Sequence, residues 1–310
     1  MSDLFAILLN VISPIFIVAG LGAFVGRRWN PDTRVLSLLL VYVLVPALVL
    51  NGIRTSQMQP DDLLRIGLLM VILVAALTVI GLGIAAVGRW DAKKRGAFML
   101  TTLMMNAANY GVPVNRFAFG PIGEQTAIVF YVLNNLIGNM IALGFASGGR
   151  SAALALRSVL KVPIMYGAII GLALNLLDVA LPLPLERSLT IIAEGTIPAM
   201  LFLLGLQLAH TPLRGRLRLV IVGCLVRLVI SPLMALPLAY FGGLQGAMLA
   251  AFVVQSGMPN AVLANAIAAE FHSDREYVAL MTFVSTLAST VTLSVIIALM
   301  TPIASAGSPS

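Results

Sequence analysis

Runs of about 18 or more apolar residues recur along the whole chain and alternate with short segments that carry charged residues, Gly or Pro. The run IGLLMVILVAALTVIGLG, at residues 66–83, contains no charged side chain. Of the 310 residues, 60% are hydrophobic and only 10% are charged, whereas soluble domains carry about 25% charged residues. The pattern therefore predicts an all-α polytopic membrane protein and excludes a soluble domain.

The charged segments and the Gly and Pro breaks divide the apolar runs into ten predicted membrane-spanning helices. Their approximate limits are 4–26, 34–53, 63–88, 97–119, 125–146, 160–179, 188–209, 219–241, 245–268 and 276–300. If the N-terminus lies outside, 14 Arg and Lys residues fall in loops on one side and four on the other. The positive-inside rule then predicts a multi-pass protein of the plasma (inner) membrane with both termini outside. This topology accounts for the net charge of +7 without a nucleic-acid partner.

Short proline motifs recur at about half the length of the chain. The matching pairs are SPIF at 13–16 with VPIM at 162–165, VPAL at 45–48 with IPAM at 197–200, and YGVP at 110–113 with SGMP at 256–259. The proline offsets are 149, 152 and 146 residues, which predicts two five-helix repeats at 1–150 and 151–310. Because five is odd, the second repeat enters the membrane from the opposite side. Inverted repeats are typical of secondary transporters that work by alternating access.

Glycine and proline also interrupt two of the predicted spans. Gly111 and Pro113 predict a break in the fourth span, and Gly257 and Pro259 predict a break in the ninth. Free backbone groups cannot face lipid, so we expect the two breaks to meet in a polar site. The N-terminal end of each half-helix carries about +0.5 charge, which favours an anionic substrate.

Amide and hydroxyl side chains flank both breaks and continue on the fifth and tenth spans. The residues assigned to substrate binding are Asn106, Asn109, Tyr110, Gly111, Pro113, Asn115, Asn135, Asn139, Gln255, Ser256, Pro259, Asn260 and Ser285. Asn135 and Asn139 are four residues apart, so they share one helix face. The alternative is that these side chains join helices and satisfy broken backbone without touching a substrate.

Three charged residues, Arg116, Glu194 and Arg227, are candidate charge partners for a substrate or for one another. Arg227 lies inside a span, where an unpaired Arg costs about 2.5 kcal/mol or more. Three interpretations stay open: its side chain snorkels to the cytoplasmic face, pairs with Glu194, or supplies the counter-charge for a carboxylate. The spans lack the paired acids that sodium/proton antiporters of related architecture use.

Sequence motifs of enzymes do not occur in this chain. There is no P-loop, no GxSxG elbow and no His/Glu metal spacing, and the single Cys224 cannot form an intramolecular disulfide. We therefore expect no enzymatic activity, no cofactor and no bound metal. GxxxG pairs at Gly22–Gly26 and Gly167–Gly171 predict close helix packing instead. An ion-coupled carrier, and a channel or membrane sensor that keeps the fold without transport, remain the alternative functions.

The motifs around the breaks resemble a known transporter family. They are Asn106, Gly111-Val112-Pro113, Arg116 and Phe119-Gly120 in the fourth span, NPD at 30–32, and MPNAVLANAIAAEFHSD at 258–274. This pattern resembles the auxin efflux carrier family, which includes the plant PIN auxin exporters and bacterial carboxylate carriers. The resemblance follows the order of the motifs over nearly the whole chain.

The resemblance implies a ten-helix fold in which broken helices 4 and 9 cross. It also implies a scaffold of spans 1, 2, 6 and 7, a mobile transport domain of spans 3–5 and 8–10, an elevator-like mechanism and a homodimer joined through the scaffolds. The family suggests malate, malonate or an auxin-like acid as the substrate. The chain lacks the long hydrophilic loop and the charged pair in the third span that plant exporters carry, so inferences that rest on those features do not carry over.

Overall fold

The structure is a computed structural model that describes residues 2–147, 163–209 and 217–306. Within these ranges the regular elements are helices. They are α1 (Leu4–Trp29), α2 (Arg34–Arg54), α3 (Pro60–Val87), α4 (Ala92–Leu103), α5 (Val112–Leu136), α6 (Gly138–Ala146), α7 (Pro163–Leu176), α8 (Leu183–Leu208), α9 (Leu217–Phe241), α10 (Gly246–Ser256), α11 (Leu263–Glu270) and α12 (Arg275–Ala306). The predicted join of the two repeats, at 150–151, lies outside the described residues.

Seven helical segments in the described part of the chain are long and apolar enough to cross a membrane. One of them, Ala107–Ala146, consists of a π-helical turn followed by α5 and α6. The prediction of an all-α protein that crosses the membrane several times is confirmed. The arrangement of ten spanning helices as two inverted repeats stays a prediction, because α4, α7, α10 and α11 have only 12, 14, 11 and 8 residues.

Local side-chain contacts fix where two of the helices begin. At the start of α3, Asp62 accepts a hydrogen bond from the backbone N–H of Gln59 at 3.1 Å, and the Gln59 side chain completes this capping box. Pro60 follows at the first helical position, where no intrahelical N–H bond is required. At the start of α4, the Asp91 side chain accepts from the backbone N–H of Lys94 at 2.8 Å. Both acids also favour the positive end of the helix dipole.

The first backbone break lies further upstream than the sequence predicts. α4 ends at Leu103, the backbone is extended at Met104, and the π-helical turn Ala107–Gly111 leads directly into α5. Pro113 lies in the first turn of α5, a position at which helices tolerate proline. The prediction that Gly111 and Pro113 themselves break the fourth span is therefore wrong, because they follow the break and begin the next helix.

The second break lies where the sequence predicts it. α10 ends at Ser256 and α11 begins at Leu263, so Gly257 and Pro259 fall between the two helices. A sharp kink also occurs at Gly120 within α5, at a φ of 64° that glycine adopts without strain. This kink coincides with the predicted boundary between the fourth and fifth spans.

Glycines allow two pairs of helices to pack closely. Gly22 of α1 lies against the backbone carbonyl of Phe202 in α8. Gly171 of α7 lies so close to α2 that an added Cβ would be 2.8 Å from the carbonyl O of Leu50. Each GxxxG pair contributes such a contact, so the prediction that these glycines serve helix packing is confirmed.

Candidate functional site

Two non-helical segments, 104–106 after α4 and 257–262 between α10 and α11, lie against each other. We call this pair of segments the crossing. The backbone N–H of Asn106 donates to the carbonyl O of Pro259 at 2.8 Å, and the carbonyl O of Met104 accepts from the opposite segment at 2.9 Å. The two bonds form an antiparallel β-bridge. Each break thus satisfies backbone groups of the other, as the membrane interior requires.

Arg227 of α9 joins both broken helices at the crossing. Its side chain is fully buried. Nε donates to the carbonyl O of Met258 at 2.8 Å, Nη1 to that of Thr102 at 3.0 Å, and Nη2 to that of Ser256. Thr102 and Ser256 lie at the C-terminal ends of α4 and α10, where a cation is favourable. The interpretations that Arg227 snorkels to the membrane surface or pairs with Glu194 are therefore wrong.

Gln255 joins α10 to the segment that follows the first break. Its Nε2 donates to the carbonyl oxygens of Ala107 and Ala127, both at 3.0 Å. Its side-chain amide occupies the space beside Gly111, because an added Cβ on that glycine would be 2.8 Å from the amide carbon Cδ. The Asn115 side chain donates back to the carbonyl O of Gly111 at 2.8 Å. Gln255 therefore makes the helix-joining contacts that the sequence left open as an alternative, whereas the Asn115 side chain bonds within its own helical segment.

Two asparagines, Asn260 in the second break and Asn265 at the start of α11, contact α12. The Asn260 Nδ2 donates to Thr282 Oγ1 at 2.6 Å, and the Asn265 Nδ2 lies 3.4 Å from the same oxygen. The backbone N–H of Asn260 donates to Ser285 Oγ at 3.2 Å. Thr282 is absent from the residues assigned from the sequence, although it lies three residues before Ser285 and therefore on the same helix face.

The side chains next to the first break differ in burial and in whether their polar atoms have hydrogen-bond partners. Asn106 is buried, and its Nδ2 finds no acceptor among the described residues. Asn109 is partly exposed. Tyr110 is fully buried, and its ring meets that of Phe16 in α1 edge-on, with the centroids 6.0 Å apart. Asn106 and Asn109 are thus the two amides here that retain N–H groups for a ligand.

The asparagines at the junction of α5 and α6 lie next to the end of α4. As their spacing predicts, the Asn139 Nδ2 donates to Asn135 Oδ1, at 2.9 Å, and the Asn134 Nδ2 lies 3.5 Å from Asn139 Oδ1. A Cβ added to the neighbouring Gly138 would be 3.2 Å from the carbonyl O of Leu103. Because Leu103 immediately precedes the crossing, the side chains of Asn134, Asn135 and Asn139 lie next to the crossing.

Comparison with known proteins agrees with a transport function. Residues 150–297, nearly half of the chain, match the family model described as a membrane transport protein. An uncharacterized transporter of Methanothermobacter thermautotrophicus is 26% identical over 272 residues, which cover 86% of this chain and 89% of the relative. An uncharacterized transporter of Methanocaldococcus jannaschii is 22% identical over 294 residues, which cover 90% and 94%. These similarities support a membrane transport protein that resembles the PIN-like membrane transport family.

The other two candidate charge partners lie in a cavity between α2, α5 and α8 rather than beside Arg227. The Arg116 Nη1 donates to Glu124 Oε1 at 3.1 Å. Glu194 lines the same cavity from α8. Glu124, which no sequence motif marks, lies eight residues after Arg116, beyond the kink at Gly120 that brings the two side chains together.

Proposed function

We propose that this transporter is a secondary carrier that moves a small organic anion across the plasma membrane by alternating access. Malate, malonate and similar carboxylates are the first candidate substrates, and an auxin-like acid is the next. The observation that carries the proposal is the charge at the crossing. Arg227 is fully buried there, and no carboxylate among the described residues forms an ion pair with it.

The backbone adds to this positive charge. The helical turn that begins at Ala107 and α11, which begins at Leu263, both start next to the crossing. Each of these N-terminal ends contributes about +0.5 charge, and the C-terminal ends of α4 and α10 contribute about −0.5 each. The four helix ends therefore cancel, and the Arg227 guanidinium leaves the crossing with a net charge of about +1. A charge in the membrane interior requires a partner. A substrate carboxylate supplies that partner, whereas a cationic substrate would be repelled.

Hydrogen-bond donors near the crossing suit the same ligand. A carboxylate accepts hydrogen bonds and donates none, so it pairs with N–H groups that have no acceptor. Asn106 has such a group, and Asn109 presents its amide at a partly exposed position. We propose these two residues as substrate contacts, and the remaining assigned residues as the frame that holds them.

The transport cycle that we propose is elevator-like. α1, α2, α7 and α8 form the scaffold, because α1 packs along α8 and α2 along α7. α3–α6 and α9–α12 form the mobile domain around the crossing, where α10 packs on α5 and α12. In this scheme the two halves are inverted five-helix repeats, both termini lie outside, and two copies join through their scaffolds.

Coupling to sodium is a second candidate that a specific observation favours. Several buried amide oxygens around the crossing have no donor among the described residues: Asn115 Oδ1, Asn134 Oδ1, Gln255 Oε1, Asn260 Oδ1 and Asn265 Oδ1. Hard cations take oxygen ligands of this kind. Replacing sodium by choline in the assay buffer distinguishes the two schemes, because only a sodium-coupled carrier then loses anion uptake.

Ligand-induced stabilisation of the purified protein tests the proposed substrate class. We expect malate, malonate or an auxin-like acid to raise the thermal unfolding midpoint, since a ligand at 100 times its Kd adds about 2.7 kcal/mol. Asn109→Ala should weaken that binding by about 1–3 kcal/mol, because it strands a buried carboxylate oxygen. Gln57→Ala, at an exposed loop amide, is the matched control. If no organic acid stabilises the wild type, the substrate class is wrong; equal shifts in both variants reject the Asn109 contact.

A further inference from the structure

A polar cavity of ≈ 210 Å³ opens between α2, α5 and α8. Its charged lining consists of Arg116, Glu124 and Glu194. It also reaches Thr55, at the end of α2, whereas the basic pair Arg27–Arg28 marks the opposite end of the helix bundle. In the proposed topology this cavity therefore faces the outside.

Two ion pairs neutralise the charges around this cavity, with one acid left over. Arg116 pairs with Glu124 at 3.1 Å, and Arg54 pairs with Glu186 at the mouth at 3.2 Å. Glu194 forms no hydrogen bond or ion pair with any residue that the structure describes.

Among the described residues, the elements around Glu194 offer it no other charge. α1, which packs along α8, has no charged residue between positions 4 and 26. Arg187 of α8 is exposed and does not line the cavity. An ionised Glu194 therefore leaves the cavity with a net charge of about −1, since the Arg116–Glu124 pair sums to zero.

The cavity lies close to the proposed substrate contacts. Asn109 and Arg116 are seven residues apart on the helix that follows the first break, which corresponds to roughly 10 Å along its axis. An anion that approaches the crossing from this side therefore passes the carboxylate of Glu194 at short range. The positive crossing attracts the anion, but the entrance repels it.

We infer that Glu194 is a proton-binding site that controls entry of the anion from the outer side. The inference rests on the proposed anion transport. A proton taken from the outer solution converts the Glu194 carboxylate to a neutral carboxylic acid, which changes the net charge of the cavity from about −1 to zero and removes the repulsion. Binding of the proton and binding of the anion then favour each other, because such coupling is reciprocal.

The sign of the pH dependence follows from this coupling. At high pH, Glu194 is ionised and opposes the anion. At low pH it is neutral and the opposition is lost. The wild type should therefore gain affinity for the anion as pH falls, relative to a Glu194→Gln variant that is neutral at every pH.

Malonate binding to the detergent-solubilised full chain tests the inference. We expect Glu194→Gln to bind malonate roughly ten-fold more tightly than the wild type at about pH 8, with the two Kd values converging as the pH is lowered, as partial screening of one unit charge would give. The ratio of the two Kd values cancels the ionisation of malonate itself, because both proteins meet the same ligand. Glu186→Gln is the control, since its carboxylate already belongs to an ion pair, and its ratio to the wild type should not change with pH.

The possible failures are distinguishable. If the wild type binds no organic acid at any pH, the proposed function is wrong. If malonate binds but the Kd ratio of Glu194→Gln to wild type is the same at all pH values, only the role of Glu194 is wrong. Glu194→Ala repeats the measurement if the Gln variant fails to fold, and it should give the same pH trend.

Discussion

Replacing Arg227 by Gln is expected to abolish anion transport and to lower the free energy of unfolding by about 2–6 kcal/mol. The guanidinium now satisfies carbonyl oxygens of Thr102, Ser256 and Met258. The Ser256 oxygen keeps the hydroxyl donor of Ser231 at 2.7 Å. The other two oxygens lose their donor, and each buried unsatisfied group costs about 1–3 kcal/mol. The positive charge that we propose attracts the anion is lost as well.

Arg227→Lys separates the two effects. It keeps the charge but has no planar fork with which to reach both helix ends. We expect it to unfold at a lower temperature than the wild type, to bind malonate more weakly, and yet to bind it better than Arg227→Gln does. Arg218→Gln, at an exposed position on the same helix, removes the same charge and should leave both quantities nearly unchanged. Wild-type stability in Arg227→Gln would contradict the role of the guanidinium at the crossing.

Replacing Gly111 by Ala is expected to cause the second large loss. The new methyl group would overlap the side-chain amide of Gln255, which is fully buried and cannot swing into solvent. Overpacking of this kind costs about 1–3 kcal/mol. The displaced Gln255 would also release the carbonyl oxygens of Ala107 and Ala127. Because Ala107 directly follows the crossing, we expect Gly111→Ala to lower the rate of malonate uptake as well as the unfolding midpoint.

Gly83→Ala is the matched control for this substitution. Gly83 lies in α3 with nothing within 4 Å of its Cβ position. Alanine there should leave the unfolding midpoint unchanged or raise it, since Gly costs a helix interior about 1 kcal/mol relative to Ala. Thermal unfolding in detergent and malonate uptake in proteoliposomes measure the two effects. Equal behaviour of the two variants would show that the Gly111–Gln255 contact is unimportant.

Features set by local sequence could be predicted. The length of the apolar runs predicts a protein that spans the membrane. Gly257 and Pro259 predict the second break, because these residues weaken a helix by themselves. The spacing of Asn135 and Asn139 gives their hydrogen bond. These predictions need only the geometry of a single helix.

Features set by contacts between distant segments could not be predicted. The break at Met104 depends on its bond to the opposite segment, and no proline or glycine marks its position. The partners of Arg227 are backbone oxygens that only the two breaks expose, so a search for an opposite side-chain charge leads to Glu194 instead. Likewise, the sequence cannot tell whether an amide such as Gln255 faces a neighbouring helix or a ligand.

Counterflow of malonate in proteoliposomes tests most directly whether this protein is an anion carrier. Vesicles loaded with unlabelled malonate are placed in labelled malonate, and empty vesicles serve as the comparison. We expect uptake that saturates with the external concentration, that is faster into the loaded vesicles, and that Arg227→Gln abolishes. Uptake that rises linearly with concentration and ignores internal malonate would indicate a channel, and no uptake of malonate, malate or an auxin-like acid would contradict anion transport altogether.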